Sequence, residues 1–160
     1  MTTMKKLLQI SALLAVLSGI ILVAGGVWGM YFTYTNVAHE KIVTPKDSAL
    51  PDKPVRGPVT LKVQADIIRE HTLRTTGGKT FAEMPRQIPK VDESGKPVLD
   101  ADGNPVLVSN SSRDMWITAT TLITALHLGV LTYVFSGMVL LFGLVSLWTG
   151  IVFFALSRER

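Results

Sequence analysis

The chain has 160 residues, of which 48% are hydrophobic and only 18% are charged, and it contains no cysteine. Soluble domains have about 25% charged residues, so the composition argues against a soluble single-domain enzyme, and disulfide and thiol chemistry are excluded. The formal net charge of +4 comes largely from the two ends of the chain, which leaves no basic stripe and disfavours nucleic-acid binding.

The apolar residues are concentrated in two uncharged blocks, at 7–34 and 115–157. Each block exceeds the ~20 residues that span a ~30 Å hydrocarbon core. We therefore predict a mainly α-helical integral membrane protein, in which two transmembrane helices flank a mixed external segment with a short helix and a β-hairpin. The predicted divisions are a cytoplasmic tail at 1–6, transmembrane helix 1 at 7–34, the external segment at 35–112, a protruding helix at 113–132, transmembrane helix 2 at 133–156 and a cytoplasmic tail at 157–160.

The first block is predicted to be an uncleaved membrane anchor. Its apolar run is about twice the usual 7–15 residues of a secretory signal. The end of the block carries Trp28, Tyr31, Phe32 and Tyr34 in place of a small-residue cleavage site. Amphipathic aromatic side chains at this position are typical of a membrane interface.

The second block is about 64 Å long if it is helical, roughly twice the thickness of the bilayer core. Its first part is rich in threonine and contains His127, whereas the part from Tyr133 onward is almost entirely apolar. We predict one long helix whose first half lies outside the bilayer. A third span at 115–132 stays open as an alternative, with Gly129 as the point where the helix would break.

Small residues form two rows with helical spacing. One row in the first block has alternating steps of four and three residues, with Leu22 completing the series, and the row in the second block repeats every seven residues. Small side chains let helix backbones approach closely in lipid, so we predict that both rows pack against helices, of this chain or of another protein. The predicted packing residues are Ser11, Ala15, Ser18, Gly25 and Gly29 in the first row, and Gly129, Ser136, Gly143 and Gly150 in the second.

The charges of the tails predict the orientation. Lys5 and Lys6 precede the first block, and Arg158 and Arg160 follow the second. The segment between the blocks is longer than the ~60 residues above which its own basic residues stop influencing topology. Both termini are therefore predicted to face the cytoplasm, with the central segment on the opposite side.

The central segment is predicted to contain three local structures. A helix over 60–76 ends at Gly77, and Thr80 with Glu83 forms a capping box that opens a second short turn. A hairpin is predicted around 100–104, between the similar stretches 96–99 and 104–108. Ser111 or Ser112 is expected to cap the last helix.

Two motifs resemble ligand-binding loops and are better explained as local structure. The run 77–80 reads Gly-Gly-Lys-Thr, but a phosphate-binding loop requires a glycine where this chain has Leu73. The run 100–104 is rich in Asp and Asn, but an EF-hand loop requires glycine where this chain has Pro105. A helix stop and an Asx turn account for the two motifs.

No catalytic residue, cofactor or metal ion is predicted. The three histidines, His39, His71 and His127, are not spaced to share a helix face with one another. His127 lies in an apolar block, where an ionisable group is a functional hypothesis by default, so it is kept as a candidate together with His71. No nucleophile and base occur in a recognisable catalytic context.

Two stretches carry a family resemblance. The first runs from Val63 to Met84 and includes Arg69-Glu-His-Thr-Leu-Arg-Thr-Thr-Gly-Gly-Lys-Thr, and the second runs from Val108 to Gly129 and includes Ser112-Arg-Asp-Met-Trp-Ile-Thr-Ala. They resemble a family of small actinobacterial membrane proteins, whose members often carry the label of aromatic ring-opening dioxygenase. The resemblance implies a bacterial plasma-membrane protein with two membrane helices around an external segment. A ring-opening site needs iron held by two histidines and a carboxylate, and the sequence predicts no compact domain that could form such a site.

These observations favour a non-catalytic membrane protein, an accessory or structural subunit that packs against a larger complex, for example a respiratory or envelope complex. The expected partners are other membrane-protein subunits and the lipid bilayer; no nucleic acid is expected, and a small-molecule ligand is disfavoured. The alternative is a membrane-anchored external module for ligand binding or sensing, based on the mixed charges of 66–86 and on His71.

Overall fold

In a computed structural model, residues 2–159 are described, and they are mainly helical. Met1 and Arg160, which belong to the predicted cytoplasmic tails, lie outside the described residues. The elements of the described chain are α1 (Thr2–His39), α2 (Pro58–Thr75), a 3₁₀ turn (Phe81–Glu83), β1 (Gln87–Pro89), β2 (Leu107–Ser109) and α3 (Ser111–Glu159). The prediction of long apolar helices at both ends, with a shorter helix and a short strand pair between them, is confirmed.

The ends of the long helices follow from local chemistry. α1 continues past the apolar block to His39 and stops where Lys41 adopts a positive φ of 52°. α3 begins after Asn110, whose Oδ1 accepts from the backbone N of Ser112 at 3.1 Å and whose amide donates to Pro85 O at 3.0 Å. The expectation of a serine cap is therefore wrong, because Asn110 both caps the helix and ties it to the preceding loop.

α3 is one unbroken helix of 49 residues. The alternative in which the chain reverses at Gly129 is therefore wrong. A Cβ atom placed on Gly129 would lie 3.1 Å from Leu61 Cδ1, so this glycine makes room for a side chain from the start of α2. Leu61 is fully buried there, with a relative exposure of 1%.

The chain divides into two compact units, which are described separately. The first unit comprises residues up to 62 and from 127 onward, and it contains α1 and the greater part of α3. Its connecting loop is folded around the buried Thr44, whose Oγ1 accepts from Lys53 N at 2.9 Å while its backbone N donates to Lys53 O at 2.9 Å. The stretch 45–57, which contains Pro45, Pro51 and Pro54, is thus an ordered loop before α2.

The second unit comprises 63–126 and is organised around Trp116. The indole is 4% exposed, and its Nε1 donates to Lys79 O at 2.8 Å. Gly78 N donates to Leu73 O at 2.7 Å, which ends α2 as predicted. The Thr80–Glu83 capping box is also confirmed, since Thr80 N donates to Glu83 Oε2 at 2.7 Å.

Between β1 and β2 the chain contains an eight-residue repeat, in which Pro89-Lys-Val-Asp recurs as Pro97-Val-Leu-Asp and Pro105-Val-Leu-Val. The antiparallel pairs join a proline of one copy to the third residue of another, as Val91–Pro97, Leu99–Pro105 and Pro89–Leu107. The second residues close a ring of backbone hydrogen bonds: Lys90 N to Val106 O at 2.7 Å, Val98 N to Lys90 O at 2.8 Å and Val106 N to Val98 O at 2.8 Å.

The predicted hairpin is therefore one side of a three-way arrangement. Asp100 N donates to Asn104 O at 2.8 Å around the expected turn, and Gly103 has a φ of 83°. The regular strand pair, however, joins β2 to β1, whereas the predicted hairpin joined 96–99 to 104–108. Pro89 can occupy β1 because this strand lies at an edge of a two-stranded sheet, where a missing donor is tolerated.

Candidate helix-packing site

Within the first unit, α1 and α3 pack against each other along small residues. In both helices the buried positions repeat every seven residues, which is the spacing of a left-handed helix pair. The buried residues are Ala12, Gly19, Gly26 and Thr33 in α1, and Ser136, Gly143, Gly150 and Ser157 in α3. We call these two rows together the seam.

The seam brings backbone against backbone. A Cβ atom placed on Gly143 would lie 2.7 Å from Val23 N and 3.0 Å from Gly19 O, and one placed on Gly19 would lie 2.9 Å from Gly143 O. At Gly150 the same construction gives 3.0 Å to the carbonyl O of Ala12. Because backbone atoms cannot move aside as a side-chain tip can, glycine is required at these positions.

Serine hydroxyls connect the two helices beside the seam. Ser18 Oγ lies 3.0 Å from Ser146 Oγ, and Ser146 Oγ donates to the carbonyl O of Ala15 at 2.8 Å. These bonds satisfy polar groups that would otherwise face apolar surroundings, where an unpaired hydroxyl is costly. They also fix the register of α1 against α3.

The second predicted row lies in the seam except at Gly129, which packs against Leu61 instead, and the first row is displaced from the seam. Ser136, Gly143 and Gly150 lie in the seam. In α1, the seam residues Ala12, Gly19 and Gly26 each follow a residue of the first row by one position, and Thr33 follows Gly29 by four. Of the first row, Ser11, Ala15 and Gly29 are partly buried, Ser18 lies at the serine contact, and Gly25 is exposed. Small residues repeat every seven positions both in the predicted row, at Ser11, Ser18 and Gly25, and in the seam, at Ala12, Gly19 and Gly26, so this spacing does not by itself identify the packing face of α1.

Gly25 lies in an apolar groove on the outside of the helix pair. No heavy atom outside its own helix turn lies within 4 Å of a Cβ placed on it. The groove has a volume of about 390 Å³ and is lined by Gly25, Trp28, Gly29, Phe32, Thr132, Phe135, Ser136 and Val139. We call it the Gly25 groove. Trp28 and Phe32 stack along one wall with ring centroids 5.3 Å apart.

Two tyrosines join the helix pair to the connecting loop through Arg56. Tyr133 Oη donates to Arg56 O at 2.6 Å, and Arg56 Nη1 donates to Tyr34 Oη at 3.1 Å. The guanidinium carbon of Arg56 also lies 5.9 Å from the centre of the Tyr34 ring. A charged side chain is thereby held at the end of the apolar part of both helices.

The second unit carries a more polar groove, near the start of α3. The Arg113 guanidinium lies 3.8 Å from the centre of the Phe81 ring, and its Nη1 donates to Met84 O at 2.7 Å. The groove has a volume of about 440 Å³ and is lined by Phe81, Arg86, Ser109, Arg113, Asp114 and Ile117. Two arginines and one aspartate give this groove a net positive lining, and we call it the arginine-lined groove.

Two exposed carboxylates of the second unit have lowered pKa values. The Ser94 hydroxyl, followed by the backbone N–H of Lys96, lowers the pKa of Asp92 because both donate to the charged form. The backbone N–H of Thr80, followed by its hydroxyl, lowers the pKa of Glu83 in the same way. Both carboxylates therefore stabilise local turns.

The two candidate histidines lie apart from these features. His71 is exposed on α2 in the second unit, and His127 is exposed on α3 in the first unit. Neither lines the Gly25 groove or the arginine-lined groove. Across residues 2–159, no three side chains of the His, Cys, Asp and Glu types are grouped so that they could hold a metal ion.

Comparison with known proteins adds no relative: no family model, curated protein or solved structure matches the chain. The resemblance to small actinobacterial membrane proteins stays a prediction from the quoted stretches. Two helices, Thr3–His39 and Ser111–Glu159, are long and apolar enough to cross a membrane. The site is therefore characterised by its own geometry, which is that of a surface for packing helices.

Proposed function

We propose that the chain is an integral membrane protein whose two long helices each cross the bilayer once. The observation that carries this proposal is that only 11% of the most apolar 18-residue window of each helix is buried within the chain. The core helix of a soluble protein of this hydropathy would be mostly buried. Exposed side chains such as Trp28, Phe135 and Trp148 would instead be in contact with lipid.

In this proposal the termini face the cytoplasm of a bacterial cell and the second unit faces outward. The basic side chains of both tails favour that orientation under the positive-inside rule. Tyr34, Tyr133 and Arg56 would mark the outer interface, where aromatic rings and a charged group are both stable. The first half of α3 would then lie outside the bilayer, since α3 is longer than one span requires.

We further propose that the protein is a non-catalytic accessory subunit, and that the Gly25 groove receives a transmembrane helix of a larger complex. Without a side chain at Gly25, a partner helix can approach the backbone of α1 closely, which is how helices associate in lipid. Trp28 and Phe135, which are 65% and 68% exposed, provide apolar walls on the two sides of the groove. None of the residues that line the groove is titratable.

The experiment is affinity purification from gently solubilised membranes, with blue-native gels and mass spectrometry of the retained proteins. Gly25→Leu fills the groove, and we expect it to abolish partner retention while the chain stays in the membrane fraction. Ala24→Leu is the matched control, because it adds similar volume to an exposed neighbouring position outside the groove lining. A parent chain that migrates only as a free monomer would contradict the proposal, as would equal partner retention by both variants.

A second candidate function is external ligand binding by the second unit. The arginine-lined groove favours this function, because Arg86 and Arg113 next to the Phe81 ring suit a small anion, including an aromatic one. The test is the thermal stability of the full chain against a panel of envelope anions. A rise that disappears in Arg86→Gln would support this function, and the absence of any shift across the panel would count against it.

A further inference from the structure

A second apolar groove lies at the opposite end of the helix pair, within the first unit. It has a volume of about 360 Å³, within the usual range of ligand sites, and it lies beside the close contact of Gly150 with Ala12 and Val16 of α1. Its lining residues are Gln9, Ala12, Leu13, Val16, Gly150, Ile151 and Phe154. Gln9 supplies the polar side chain of this lining, so the groove suits a long apolar group with a polar end.

Basic residues lie near the terminal end of this groove. The guanidinium carbon of Arg158 lies 4.6 Å from the centre of the Phe154 ring, which places a fixed positive charge against one wall. On α1, Lys5 and Lys6 precede Gln9 by about one helical turn. The helices run antiparallel, with Gly150 against Ala12, so their basic ends meet on the same side.

Acidic groups are scarce at this end of the unit. α1 contains no Asp or Glu, and Glu159 is the acidic residue that accompanies Arg158 at the end of α3. The Gly25 groove lies about 16 residues further along α1, or roughly 24 Å away, and is lined without charged residues. The two grooves therefore differ in the charge of their surroundings.

From this combination we infer that the second groove is a binding site for one anionic phospholipid of the inner leaflet. An acyl chain lies along Leu13, Ile151 and Phe154, and the phosphate lies between Arg158 and the lysines of α1. Basic pockets between transmembrane helices on the cytoplasmic side are known to bind anionic head groups, and arginine is well suited to phosphate oxygens. This inference rests on the proposed membrane setting and orientation.

The experiment uses the full chain in nanodiscs of dioleoylphosphatidylcholine that contain about 20% dioleoylphosphatidylglycerol. Native mass spectrometry then identifies the lipids that stay bound. We expect one phosphatidylglycerol to be retained in preference to phosphatidylcholine. Arg158→Gln should weaken this retention roughly fivefold, the effect of removing one basic group from an anionic membrane surface. Lys90→Gln is the charge-matched control, as it removes one exposed positive charge from the second unit.

The outcomes separate this inference from the proposed function. Equal retention of the two lipids, or an Arg158→Gln chain that binds like the parent, would overturn the lipid site while the helices still resist alkaline extraction. Displacement of the lipid by about 10 mM inorganic phosphate would show that the site recognises an anion alone and would overturn the assignment to a lipid. A chain that alkaline carbonate removes from membranes would instead refute the membrane proposal itself.

Discussion

Gly143→Ala is the substitution that tests most directly how α1 and α3 are held together. The added methyl group would lie 2.7 Å from Val23 N and 2.8 Å from Val23 Cγ2, whereas ordinary contacts begin near 3.4 Å. The helices must therefore move apart by about 0.7 Å, and a gap of about 0.5–1 Å removes a quarter to a half of the dispersion energy of the contacts involved.

The size of the effect follows from two opposing contributions. Overpacking of this kind costs about 1–3 kcal/mol, while replacing glycine by alanine in a helix returns up to about 1 kcal/mol. We expect a net loss of about 1–2 kcal/mol in the free energy that holds the pair, which is roughly a tenfold change in the equilibrium constant for pairing. Gly25→Ala is the control, because its methyl group meets no atom within 4 Å.

The assay is disulfide cross-linking in a chain that otherwise contains no cysteine. Ser18→Cys and Ser146→Cys place two thiols where the parent hydroxyl oxygens lie 3.0 Å apart. In this background Gly143→Ala should slow cross-linking and lower the midpoint of thermal unfolding. Gly25→Ala should neither slow cross-linking nor lower the midpoint. Equal cross-linking rates and midpoints in the Gly143→Ala and Gly25→Ala chains would refute the close backbone contact.

Three further predictions concern the second unit. Trp116→Phe should lower the unfolding free energy by about 1–3 kcal/mol, measured by thermal circular dichroism, because Lys79 O loses its buried donor. Gly95→Ala should cost about 1–2 kcal/mol because its φ is 78°, and a proteolysis assay should detect faster cleavage of this turn. The pKa of Asp92 is lowered in the folded chain. Its contribution to the free energy of unfolding is therefore complete above the ordinary Asp pKa of about 3.9, and it is lost as the pH falls through the lower pKa of the folded state. The Ser94 amide resonance should accordingly titrate below about pH 3.9, and Asp92→Asn should abolish that titration.

Sequence periodicity predicted the extent of the helices but left the packing face of α1 undetermined. The predicted row through Gly25 and the seam row through Gly26 both place small residues every seven positions, and they lie about 100° apart around the helix axis. Only the position of α3 distinguishes them, because Gly143 requires a partner backbone free of side chains at Gly19. That requirement is a property of two helices together, so it is invisible in α1 alone.

The same limitation applies to the short elements of the second unit. Asn110 and the two serines that follow it are equally good N-caps by residue type, and Asn110 is selected because its amide also reaches Pro85 O. β1 was missed because a three-residue strand that contains Pro89 has neither the length nor the alternation that predicts a strand. It forms because the repeated segments pair with one another at a distance along the chain.

The two glycine rows of α1 bear on function in different ways. The Gly26 row is filled by α3, and its glycines are needed for the pair to close. Gly25 has no such role within the chain, although a glycine in a helix interior costs about 1 kcal/mol relative to alanine. A helix that carries this cost at an exposed position leaves its backbone open to contact from outside, and the aromatic walls at Trp28 and Phe135 give that contact an apolar surface. This is the reasoning that leads from the folded pair to a partner helix, and Gly25→Leu tests it without disturbing the seam.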